Sequence, residues 1–394
     1  MADAEASNQS RFDIETPASR TTTEFYDSHI SRDLLHHYLS IYSRESYALW
    51  PVINVGDMST RLLNTADVSA YALGAAVSAV TLHRAVQLGT LDEQLENPQR
   101  GIECERLAAE SKKARSSLLY HPSPEIDVLL SSFFLHIYCA NKGQICEATL
   151  LLHEAITLAQ MLELDQAKHY VNLSEGEAQL HLRTVWLLHI TERGHTTRFD
   201  FPRILHLDPT LPALQPTDNP SALLPFISMC RLFQTFGHAM DGILPGDIHD
   251  FFQNMDICLQ NTQEPLPSSP DLQRVDFLVT KQWMRMILWK RAIFHVELSD
   301  KAGGSLSISF PEQVARMATA YISEFPREIV ESHGLGMQMK LADIAISLAD
   351  MLSCMPHISE HHQLMRINSV GVLSCLAAFL FSISNSVNPR IVTS

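Results

Sequence analysis

The stretch between Pro124 and Asp165 limits what this chain can fold into more than any other feature. Ile126 to Ala140 reads as one apolar helix, and Asn141-Lys142-Gly143 supplies a turn whose glycine tolerates the left-handed conformation. Gln144 to Leu164 reads as a second helix. In it Ile145, Ala148, Leu152, Ala155, Ala159 and Leu162 fall at alternating steps of three and four, and the alanines let a neighbouring backbone approach closely. An antiparallel helical hairpin is predicted, and core packing explains its stripe without a ligand.

The flanking sequence repeats the pattern. Behind the cap-like Ser31, Leu34, Leu35, Tyr38, Leu39 and Tyr42 recur at helical spacing until Pro51, and Val68 to Leu88 is an Ala-rich, nearly uncharged segment that reads as a buried helix. Ser174 followed by Glu175 and Glu177 opens a helix to about Glu192. Pro202, Pro209, Pro212, Pro216, Pro220 and Pro225 then predict irregular chain until a helix resumes near Ala222, and Pro265, Pro267 and Pro270 mark a second break. Leu272 to Leu298 predicts a long helix with Val275, Leu278, Val279, Met286, Ile287, Ile293 and Phe294 inward, between Lys281, Arg285 and Arg291. Pro311 suits a helical first turn, and Leu341, Ile344, Ala345, Leu348, Met351, Leu352 and Met355 stripe another helix. The expected fold class is all-α, a multi-helix domain of stacked antiparallel helical hairpins. It runs over 25–388 with a subdomain break near 200–222, between a disordered arm at 1–24 and a tail at 389–394.

Charge narrows the partners. With 29 Lys plus Arg against 44 Asp plus Glu the net charge is −15, which repels polyanions, whereas duplex binding needs cations to neutralise phosphates. The densest basic cluster, Lys112, Lys113 and Arg115, follows Glu103, Glu105 and Glu110, and a solvated helix face is preferred for it over an import signal or phosphate contact. The seven cysteines are widely spread, which fits reduced thiols, and Met1 to Glu24 lacks the apolar core of a secretory signal. An intracellular protein is expected, and the sequons at Asn8 and Asn172 are then chance matches. The uncharged segment Ile367 to Asn388 has a densely apolar part of about 14 residues, short of the roughly 20 a spanning helix needs, so a buried core helix is expected and no membrane contact.

No residue qualifies as catalytic, cofactor-binding or metal-ligating. His36-His37 and His361-His362 are adjacent and so diverge on a helix; His153-Glu154 lacks a second histidine, position 157 being Thr. His181 and His189 share a face without a third ligand. Gly334-Leu335-Gly336 lacks the third glycine of a dinucleotide turn, and Asp247-Ile248-His249-Asp250 offers too few acids for a magnesium-diphosphate site. An enzyme is not expected.

Four segments together carry a resemblance: Glu147 to Asp165 (EATLLLHEAITLAQMLELD), Leu182 to Arg193 (LRTVWLLHITER) with Phe201-Pro202 behind it, Gln273 to Trp289 (QRVDFLVTKQWMRMILW) and Leu341 to Cys354 (LADIAISLADMLSC). In this order they resemble the fungal-specific transcription factor domain, the middle homology region of binuclear zinc cluster regulators, in its amylase and maltose activator branch. The resemblance covers roughly residues 30 to 385. It implies a nuclear (alternatively cytoplasmic) regulator of a sugar-utilisation or secondary-metabolite gene set. Family members usually carry six cysteines in two Cys-x-x-Cys clusters, whereas the first cysteine here is Cys104. The expected function is therefore transcription regulation through a partner, a DNA-binding transcription factor or coregulator, without direct nucleic acid binding. A small-molecule sensor of the same fold is the alternative, with Phe133, Phe134, Trp186, Trp283 and Trp289 as pocket aromatics; a truncated form of a DNA-binding zinc cluster activator is a third. On the Trp186 helix, Leu182, Val185 and Leu188 or His189 should face the hairpin, with Arg183, Glu192 and Arg193 in local ion pairs.

Overall fold

In the computed structural model, which describes residues 30–88, 97–116, 118, 124–199, 201–208, 210–241, 247–298, 304–354 and 360–387, the regular elements are helices and no strand forms among these residues. The all-α reading holds. The arm at 1–24 and the tail at 389–394 lie outside the described residues.

Ser31 and Asn54 cap α1 (Arg32–Glu45) and α2 (Val55–Leu62), each side chain accepting a backbone N–H of the first turn. These helices lean on α3 (Val68–Leu88), whose small residues also let α4 (Asn97–Arg115) lie close alongside, with Ser111 Oγ donating to the Ala72 carbonyl at 2.7 Å. The predicted hairpin is present as α5 (Ile126–Asn141) and α6 (Ile145–Met161), and Gly143 between them takes φ +73°. α7 (Glu175–Phe199) runs past the expected end at Glu192. Leu182, Val185, Leu188 and His189 are buried, and Val185 and Leu188 share the apolar cluster of the hairpin.

Two of the three α7 residues expected in local ion pairs, Arg183 and Glu192, find their partners elsewhere. Arg183 pairs instead with Asp218, far along the chain and equally buried, and Glu192 Oε1 accepts the backbone N–H groups of Ile204 (2.7 Å) and Leu205 (3.1 Å). Both acids tie the irregular chain after α7 to the helix. Helical spacing foretells only partners one turn away, so such non-local contacts were out of its reach.

α8 (Pro220–Asp241) begins at Pro220 and contains Pro225 rather than being broken by it. Pro225 sits so near the start that it forfeits only one early backbone bond. Next come α9 (Ile248–Asn261), α10 (Asp271–Ala292), α11 (Phe310–Glu324), α12 (Arg327–Glu331), α13 (Leu335–Cys354) and α14 (Glu360–Val387). Pro311 stands in the first turn of α11, as read. On α10 the inward assignment fails at its C-terminal end: the helix stops at Ala292, and Ile293 and Phe294 (82% exposed) turn outward. Lys281 and Arg285 are buried, each with a carboxylate partner, Glu264 and Asp256.

α14 also departs from expectation. No helix among the described residues is long and apolar enough to cross a membrane, yet this one is not a buried core helix. Leu376 is buried and Val372, Leu373, Phe379 and Leu380 pack against the core, while Ile367 (68%) and Phe381 (64%) are exposed. Its small residues dilute the apolar signal to a single stripe, and that stripe is all that docks on α11 and α13.

The buried apolar residues form two clusters, one from Ile30 to Cys230 and one from Met229 to Leu376, with α8 contributing to both. Polar contacts cross the seam between the two halves. Gln273 Nε2 donates to the Ala222 carbonyl at 2.8 Å, Arg198 NH1 meets Asp343 Oδ1 at 3.0 Å, and the Leu335 N–H reaches Asn141 Oδ1 at 3.4 Å. The Asn141 contact needs Gly334, which has φ +63° and would place a Cβ 2.4 Å from Asn141 Oδ1. Gly334→Ala is expected to cost about 1–2 kcal/mol for the left-handed backbone alone, and more for the clash. Adding Asn141→Ala should recover only the clash. Urea unfolding measures both, and an unchanged midpoint for Gly334→Ala would contradict this packing.

Candidate functional site

A cavity of about 280 Å³ lies along this seam, close to the lower end of the roughly 300–1,000 Å³ typical of small-molecule sites. Far larger than an ordinary packing void, it has two unlike walls. One is apolar and aromatic, with Trp50, Ile137, Leu187, Phe226 and Phe233 from α5, α7, α8 and the loop after α1. The other is polar and is built by α10, α13 and the turn between α12 and α13, completed by Arg84 of α3 and Arg198 of α7.

Most of the polar wall is satisfied internally. Lys340 Nζ donates to Asp276 Oδ1 at 2.8 Å and to Thr280 Oγ1 at 2.6 Å. Burial pushes the Asp276 carboxyl up, but the Lys340 ammonium and hydrogen bonds from Lys340 and Thr280 outweigh it and hold it below the usual carboxylate value. Asp343 accepts from Arg198 at 3.0 Å and from Trp283 Nε1 at 3.0 Å. His333 Nε2 faces the Leu272 carbonyl at 2.8 Å and must donate to it, so this tautomer carries its proton on Nε2. Burial, despite the nearby Asp276, pushes His333 down to about 4.

Arg84 differs. Its guanidinium donates to the Ser332 carbonyl (2.9 Å) and Ser332 Oγ (3.2 Å), its Nε has no partner, and no carboxylate among the described residues lies within hydrogen-bonding distance of it. Only 5% of the residue is exposed. Burial pushes Arg84 down to about 10, against a weaker opposing pull from Glu45.

Among the five aromatics expected in a pocket, Trp283 alone lines this cavity. Phe133, Phe134 and Trp186 are core residues, Trp186 donating to the Thr210 carbonyl, and Trp289 donates to the Ser307 carbonyl beside Phe310. The lining residues that sequence reasoning missed are mostly polar. One signal was available for Arg84, the single charge in the 21 residues of α3.

His181 meets His169 at 3.0 Å rather than sharing a site with His189, which packs on Trp186. Glu154 is taken by Arg115 and Ser132, and Asp247 caps α9 by accepting the Asp250 N–H. Among the described residues, no group of three or more His, Cys, Asp or Glu is arranged to hold a metal ion; the side chains of His361 and His362 lie outside them. The basic cluster is not the solvated face expected: Arg115 is buried against Glu154 and Lys112 pairs with Glu147 at 2.5 Å, leaving Lys113 exposed. Acids of the neighbouring helix α6 bind these cations, a partnership no local pattern displays.

No family model matches the chain. Curated relatives do. It is 27% identical over 359 residues to the probable sucrose utilization protein SUC1 of Candida albicans, covering 88% of this chain and 70% of that protein. To the maltose fermentation regulatory protein MAL13 of Saccharomyces cerevisiae it is 23% identical, over 94% of this chain and 78% of that protein. The respiratory transcription factor ZNF1 of the same yeast is 24% identical over 90% of this chain and 76% of its own length. The likeness read from four segments thus extends along nearly the whole sequence, and the chain is a homologue of fungal transcription regulators rather than of enzymes.

Proposed function

We propose that this protein regulates transcription of a sugar-utilisation gene set from the nucleus, and that its helical domain acts by binding a promoter-associated protein rather than by gripping DNA. The observation that carries the first part is the similarity to a probable sucrose utilization protein and a maltose fermentation regulatory protein over about nine-tenths of the chain. The second part is supported by charge: the densest basic cluster is tied up by Glu147 and Glu154, and the net charge is −15. Deleting the gene should abolish the rise in disaccharide-utilisation transcripts on maltose or sucrose, and unchanged transcripts reject the regulatory reading. In a mobility-shift assay the purified chain alone should give no sequence-specific complex; a dissociation constant of about 10⁻⁸ M, typical of specific DNA readers, rejects partner-mediated action.

The seam cavity favours a second reading that complements the first. A small-molecule effector held there would touch both halves of the domain, and a ligand that prefers one arrangement of the halves shifts their equilibrium.

A further inference from the structure

We propose that the seam cavity binds a compact molecule bearing a carboxylate or phosphate, with the anionic group on the Arg84 guanidinium and the rest against the Trp50–Phe226 wall. This rests on the effector reading above and names the ligand chemistry.

Three cations line the cavity, and two are already neutralised in place, Lys340 by Asp276 and Arg198 by Asp343. Arg84 is hydrogen-bonded only to the two neutral oxygens of Ser332, and Glu45 acts on it more weakly than burial does. A guanidinium offers five N–H donors in a planar fork, so it retains donors for a further acceptor, its unpartnered Nε among them. A buried charge without a counterion is costly, and α3 carries no other charged residue that would justify one there. Packing alone gives no reason for an arginine in an Ala-rich helix, since a Met or Leu would fill the space without that penalty. An oxyanion supplies the missing counterion and matches the fork in two parallel hydrogen bonds.

The position gives such a ligand a consequence. Arg84 belongs to the first half and Ser332 to the second, so the anion would join a contact that already crosses the seam. In the same cavity, the apolar side chains of Trp50, Ile137 and Phe226 suit the carbon skeleton of a small molecule, and a volume of about 280 Å³ excludes a large one.

Isothermal titration of the full chain tests this with gluconate as the carboxylate probe, glucose 6-phosphate as the phosphate probe, and glucose and maltose as uncharged probes. At least one anion should bind tenfold or more tightly than glucose, and which one identifies the acidic group. Arg84→Lys should weaken that anion, and Arg84→Met should abolish the preference over glucose. If Arg84→Met does not fold, the wild-type fluorescence response to the anion, and its loss once both cavity tryptophans are replaced, still place the probe in this cavity. A response that survives Trp50→Phe combined with Trp283→Phe, the two tryptophans of the cavity, overturns the proposal. Uncharged sugars binding as tightly as the anions, insensitive to Arg84→Lys, also overturn it while leaving the effector reading standing. No binding by any probe removes both.

Discussion

Asp256→Ala is expected to lower the unfolding free energy by about 3–5 kcal/mol, the range for breaking a buried ion pair from one side. Asp256 on α9 and Arg285 on α10 are both nearly inaccessible, and the pair is bidentate, with Nε to Oδ1 at 2.7 Å and NH2 to Oδ2 at 3.2 Å. The cluster is closed around them. Gln260 donates to Asp256 Oδ2 at 2.6 Å, Gln282 Oε1 accepts from Arg285 at 3.0 Å, and the guanidinium lies over the Phe310 ring at 5.0 Å. Removing the carboxylate strands a cation where water does not reach. Removing both charges does not, so Asp256→Ala combined with Arg285→Met should regain a large part of the loss. Urea denaturation of the two variants decides it: a single variant within about 1 kcal/mol of wild type, the value of a surface pair, would mean the pair is not buried in solution.

This pair also marks where reading the sequence stopped. Periodicity placed Arg285 between inward apolar residues as a flank, because spacing shows which face a residue occupies but not that a carboxylate waits on another helix. The hairpin was legible because everything that fixes it is local: two apolar stripes, a three-residue turn and Gly143. The cap at Ser31 and the first-turn proline Pro311 were legible for the same reason. The seam cavity was not. Its polar wall draws Arg84, Asp276 and Lys340 from segments more than 50 residues apart, and no spacing rule joins them. The five aromatics expected in a pocket are large apolar side chains, which favours burial, and all five are buried. A cavity needs polar groups left over after packing, and for those the informative residue was the lone charge in an apolar helix. α14 went astray by the converse error: hydropathy averaged around a helix hid the fact that only one stripe of it docks.

Acid should destabilise the domain well before its carboxylates protonate. Burial pushes His83, His136 and His333 down to about 4, whereas an unfolded histidine titrates near 6.5. Of the three, His136 is the most fully enclosed; its Nδ1 stands 2.8 Å from the Ala148 carbonyl and must donate to it, so added charge would have to form on Nε2. Above pH 7 all three are neutral in both states and stability is flat. Between about 6.5 and 4 the unfolded chain takes up protons that the native state refuses, so the unfolding free energy falls as pH falls, by about 1.4 kcal/mol per pH unit for each histidine. Below about 4 the native histidines protonate too and their contribution levels off. Glu192 and Asp127 act in the opposite sense near the bottom of this window, since burial, only partly offset by their donors, raises both carboxyls. Going from pH 7 to pH 5 should therefore cost about 3–6 kcal/mol in urea unfolding. His136→Asn, whose amide can keep the bond to Ala148, should flatten the slope by about one proton's worth. A free energy that stays constant between pH 7 and pH 5 would show that these imidazoles are hydrated in the folded protein, and the seam to which His136 and His333 belong would then be open to water.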